Sequence, residues 1–81
     1  MTEHVHGKRW IEEFRNEIVA DRKALADARV QRAGGPWSFE GAVARTKHFY
    51  EQRITGFHVC MSITDAERDE LMAMVATIGE G

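Results

Sequence analysis

The stretch that most constrains this chain runs from Gly7 to Ala33. After Gly7 neither Gly nor Pro interrupts it, and Gly34-Gly35-Pro36 closes it. At about 100° per residue, Trp10, Ile11, Phe14, Ile18, Leu25 and Ala28 fall within one arc of roughly 100°, the pattern of an amphipathic helix. Most of the charged residues lie outside that arc. Ala, Arg, Lys, Glu and Leu fill most other positions, so intrinsic propensity agrees with the periodicity. At about 1.5 Å per residue the stretch makes a rod of roughly 39 Å. A helix draws most of its stability from packing its apolar face, so something else in the chain must cover this one. The exit is marked by Arg29 and Arg32 in the last turn, by Gly34 as a left-handed cap and by Pro36, which forbids continuation.

The cover follows at once. Ser38 suits an N-cap, with Glu40 in the first turn of a second helix, and a connection this short favours antiparallel neighbours. The second helix presents Phe39, Ala42, Val43, Thr46, Phe49, Tyr50 and Ile54 on one arc. Beyond it, Ile54 to Ile63 fits two templates. Alternation of Phe57, Val59, Met61 and Ile63 reads as a half-buried strand, while Phe57, Cys60 and Met61 continue the helical arc. A lone strand has no partner in this chain, and a helix running to about Met61 matches the first in length. The helix is therefore favoured, with a kink near Gly56. Thr64-Asp65-Ala66-Glu67 is a capping box for a third helix, whose stripe is Leu71, Met74, Val75 and Ile78 and whose end is Gly79. The expected fold is all-α, a long antiparallel helical hairpin plus a shorter third helix in a three-helix bundle. Residues 1–6 are a frayed N-terminus and 7–81 a single helical domain.

Eighty-one residues, 43% hydrophobic and 30% charged, describe a small folded domain with a modest core. The first six residues contain no apolar signal segment, and no apolar run nears the roughly 18 residues of a membrane span. Cys60 is the only cysteine, so no intrachain disulfide forms. The expectation is a soluble, cytoplasmic protein. Net charge is plus one over residues 1–33, plus one over 34–53 and minus four over 54–81. No face of the whole domain is basic enough to neutralise many phosphates, which makes nucleic acid an unlikely partner despite Arg29, Arg32, Arg45 and Lys47 near the hairpin turn.

Few residues suggest chemistry. His4, His6, His58 and Cys60 form a ligand set suited to zinc, but residues two apart point the same way only in extended chain. With 57–61 helical the set cannot converge, so no metal and no cofactor are expected. Cys60 with His58 or His48 would make a nucleophile and base, but no catalytic signature surrounds them, and the protein reads as non-enzymatic. Asp21 falls inside the apolar arc, where a charge needs a partner or water; the favoured reading is a residue at the stripe's edge reaching solvent, and the sharper one a polar layer with Arg53 or Thr46 of the second helix. Val19, Ala26, Val30 and Ala33 form a second apolar shoulder, and Met72 is expected to be exposed. Because the third helix is too short to cover the whole rod, part of the hairpin should stay bare. The expected function is protein–protein interaction through the hairpin faces (an adaptor, an inhibitor or a small subunit), with a second copy or another protein as partner. The alternative is a small helix-turn-helix-like nucleic-acid-binding regulator.

Overall fold

The computed structural model describes residues 2–32 and 35–80, with side chains from Arg9 onward. Three helices follow one another: α1 (Thr2–Gln31), α2 (Phe39–Val59) and α3 (Asp65–Ala76). The fold is an all-α three-helix bundle, 52 Å along its longest axis. α1 begins N-terminal of Gly7. Ala33 and Gly34, and with them the expected left-handed cap at Gly34, lie outside the described residues. No described helix is long and apolar enough to cross a membrane.

Local chemistry accounts for most of the boundaries. Ser38 Oγ accepts the Gly41 amide at 3.0 Å and starts α2. Thr64 and Glu67 form the reciprocal capping box: Thr64 Oγ1 accepts the Glu67 amide at 3.1 Å while Glu67 Oε1 accepts the Thr64 amide at 2.8 Å. The ambiguous stretch is helical through Gly56 to Val59 and contains no strand. It ends earlier than the arc suggested. Met61 turns into the left-handed region at φ 62°. The Ser62 amide donates to the Phe57 carbonyl at 2.8 Å and the Met61 amide to the His58 carbonyl at 3.0 Å. This pair of bonds is the Schellman termination, here with Met where Gly is usual. It carries Cys60 and Met61 off the apolar arc, so both are exposed rather than core.

Ring contacts fix the hairpin register. Trp10 meets Phe57, Phe14 meets both Tyr50 and Phe57, and Arg29 lies over Phe39, so α1 and α2 run antiparallel. The core takes Ile11, Phe14 and Ile18 from α1, Ala42, Tyr50 and Ile54 from α2, Ile63 from the connection, and Leu71, Val75 and Ile78 from the third segment. Trp10, Leu25, Val43, Phe57, Met72 and Met74 pack around it, half-buried. Leu71 is fully buried, so truncation to Ala costs roughly 2–5 kcal/mol by lost transfer energy plus the cavity left behind.

The third helix reaches further than its length implied. α3 has 12 residues, but the turn after it carries Ile78 into the core and Gly79 against Val43. A Cβ on Gly79 would stand 3.0 Å from Val43 Cγ1. α3 and its tail therefore run from the level of His58, which contacts Asp65, to the closed end of the hairpin. In this register the part of α1 that passes beyond α2 is its N-terminal end, not the hairpin turn.

Candidate functional site

Asp21 sits half-buried on α1. Its partner is neither Arg53 nor Thr46: Asp21 Oδ2 accepts the phenolic hydrogen of Tyr50. The ring of Tyr50 is 1% exposed, and a buried hydroxyl with no acceptor would carry a desolvation cost, so the carboxylate at the edge of the arc meets a core requirement. Burial, then the hydrogen bond and charge of Asp21, push the Tyr50 phenol well above its ordinary value, and Arg53 opposes them weakly. Arg53 does not reach Asp21 because it lies across aromatic faces. Its guanidinium is 5.1 Å from the Phe14 ring centre, 5.4 Å from Phe49 and 5.7 Å from Phe57, with Glu17 at 3.8 Å. Thr46 and Asp21 line one cleft with Leu25, Ala28 and Trp37.

The two valines of the second shoulder stand in solvent, Val19 54% and Val30 78% exposed. Met72 does not join them. It is half-buried against the core, because α3 turns that side toward its neighbours.

Of the four metal candidates, the two whose side chains are described, His58 and Cys60, are not brought together. His58 and Cys60 lie at the end of α2, where two residues along a helix are far apart around its axis. His58 Nε2 instead contacts Asp65 Oδ1 at 2.5 Å, tying the end of α2 to the start of α3, while Cys60 is exposed. The hydrogen bond and charge of His58 hold the Asp65 carboxyl below its ordinary value. The side chains of His4 and His6 lie outside the described residues. Among the described residues no three His, Cys, Asp or Glu side chains stand together as a metal-binding group.

Two features went unread in the sequence. Arg15 makes a forked pair with Glu70 of α3, Nε to Oε2 and Nη2 to Oε1, both at 2.9 Å, and a further bond to Glu12 at 2.7 Å. The bond to Glu70 outweighs partial burial and raises the guanidinium's pKa still further. The second feature is the Arg53 aromatic seat. Nothing in a one-dimensional pattern joins residues 55 apart, although Arg53 one turn from both Phe49 and Phe57 is a legible neighbour relation. The basic group near the turn divides: Arg29 lies 4.7 Å over Phe39 and Arg32 5.7 Å over Trp37, and the groove lined by Arg29 and Lys47 also holds Glu40 and Glu80.

The chain matches no protein-family model, and comparison with curated proteins and with solved structures finds no match either.

Proposed function

We propose that this protein is a non-enzymatic interaction module that binds another protein through the outer faces of its helical hairpin. The observation that carries this reading is a division among its large apolar side chains. Among the described residues ten close a core; Phe49, though exposed, still packs its ring edge-on against Tyr50, whereas Val19, Val30, Val59 and Met61 stand exposed outside that core. Single exposed apolar residues are ordinary; Val19 and Val30 are a pair, eleven positions apart and therefore on one side of α1. The polar groups support the same reading. Asp21 with Tyr50, Arg15 with Glu70, Glu17 with Arg53 and His58 with Asp65 each join two elements of the fold, so their chemistry is spent on architecture.

The test is a double variant, Val19→Glu with Val30→Glu, in the full chain. Partner capture from the native source should show association by the parent chain and loss of it by the variant. Circular dichroism should be unchanged, since neither side chain supports the core. A parent chain that captures nothing, with a variant that loses its helix content, would show these valines to be structural and end the reading.

A further inference from the structure

Along α1, Arg15, Arg22 and Arg29 recur every seven residues and form one row beside the Val19, Ala26 and Val30 stripe, with Lys23 on the stripe's other side. The row is answered at one position only. Arg15 is held by Glu70, but α3 and its tail carry no charge from Leu71 to Gly79, so no acid follows Glu70 along that helix to meet Arg22. Arg22 and Lys23 are exposed and make no ion pair with any described residue. Arg29 lies over the Phe39 ring and makes no ion pair with any described residue, with Glu40 and Glu80 lining the same groove.

Resting on the reading of α1 as a protein-binding face, we propose that the segment from Val19 to Val30 docks an acidic amphipathic helix of another protein. That helix would set an apolar stripe on Val19, Ala26 and Val30 and carboxylates on Arg22, Lys23 and Arg29. The stripe is about 16 Å long at 1.5 Å per residue, room for three turns of a partner. Helix-on-helix docking of this kind reads anchors at i, i+3 or i+4 and i+7.

A second copy of this chain does not fit the face. Two α1 helices laid antiparallel on the stripe would bring the arginine row of one against the same row of the other. A parallel pair would set Arg22 against Lys23 of the second copy, and the exposed Asp27 on Lys23's side of the stripe would give that arginine row only one acid to meet. Like charges placed this way oppose association, whereas carboxylates complete it. The apolar centre of the face argues against nucleic acid, since phosphates gain nothing from Val19 or Val30. Two valines and an alanine bury little area, so the complex belongs to the weak, rapidly exchanging class, with rate and selectivity set by charge.

The test uses two fluorescein-labelled 18-residue peptides with leucines on one helical stripe, one flanked by glutamates and the other by lysines, titrated with the full chain and followed by anisotropy. The glutamate peptide should bind at least tenfold more tightly than its lysine twin, and raising sodium chloride from 50 to 500 mM should weaken it severalfold. Arg22→Glu with Lys23→Glu should reverse the preference, a gain of lysine-peptide binding that misfolding could not produce. Equal binding of both peptides, no binding of either, or no response to the charge reversal would overturn the proposal. So would stronger binding, by the same residues, to duplex DNA or to phosphatidylserine vesicles. If Val19→Glu with Val30→Glu abolishes capture of the native partner while the charge reversal leaves it intact, the protein-binding reading survives and the acidic partner does not.

Discussion

The phenol of Tyr50, buried between α1 and α2, gives its hydrogen to Asp21, 29 residues earlier in the chain. The bond explains why a carboxylate is tolerated in the apolar arc of α1. Tyr50→Phe keeps the ring packing but leaves Asp21 without its donor. We expect a loss of about 1–2 kcal/mol, toward the lower end of the roughly 1.5–3 kcal/mol of a hydrogen bond to a charged group, because Asp21 is partly solvated. Chemical denaturation of the two proteins measures it.

The same pair sets an alkaline limit. The folded state raises the Tyr50 pKa, so it disfavours the phenolate. Stability from this group is therefore complete below the ordinary tyrosine value of 10.0 and is lost as pH rises beyond it. Tyr50 is the only tyrosine, so absorbance at about 295 nm reports it alone. Tyrosinate should appear together with unfolding rather than in a native titration near the ordinary value. A native-state transition there would mean that the phenol is not held as described.

At the acid side the sign reverses. Asp65, held below its ordinary 3.8 by His58, contributes stability that is complete above that value and is lost as pH falls below it through the lowered folded-state value. Asp65→Asn should lower the unfolding midpoint at pH 5, with the gap to the parent closing toward pH 2. A gap that stays constant with pH would assign the loss to the first turn of α3 and not to the ion pair.

The hairpin, the capping box and most of the core were legible in the sequence because each rests on a local rule. Period 3.6 placed Ile11, Phe14 and Ile18, and one hydroxyl three residues before a glutamate placed the start of α3. The partner of Asp21 was not legible. Choosing among Thr46, Tyr50 and Arg53, all near it on α2, depends on which side chain is buried and which is drawn away, and Arg53 was drawn away by three phenylalanine rings. Met61 was misread for a different reason. Its apolar side chain fits the arc, but the backbone leaves the helix before that position counts.

Two glycines should respond to alanine in opposite directions. Gly56 lies inside α2 with nothing within 4 Å of a built Cβ, so Gly56→Ala should stabilise by about 0.5–1 kcal/mol through propensity and a less flexible unfolded chain. Gly79 has φ +96° and no room beside Val43, so Gly79→Ala should destabilise by roughly 1–3 kcal/mol. Thermal unfolding of both variants checks the pair, and equal signs would show that one of the two environments is wrong.

Met61 offers the opposite correction. At φ 62° it holds a conformation that costs a residue with a Cβ roughly 1–2 kcal/mol, and its side chain, 88% exposed, recovers little by packing. Glycine there removes the strain but adds freedom to the unfolded chain, which offsets part of the gain. Met61→Gly should therefore raise stability by about 0.5–1 kcal/mol and leave the Ser62 to Phe57 and Met61 to His58 bonds in place, visible as unchanged amide exchange protection at Ser62. A loss of stability would imply that the thioether is engaged by something outside the bundle core. Since Val59 and Met61 are both exposed at this end of α2, the same measurement repeated with the captured partner present would then show whether the partner supplies that contact.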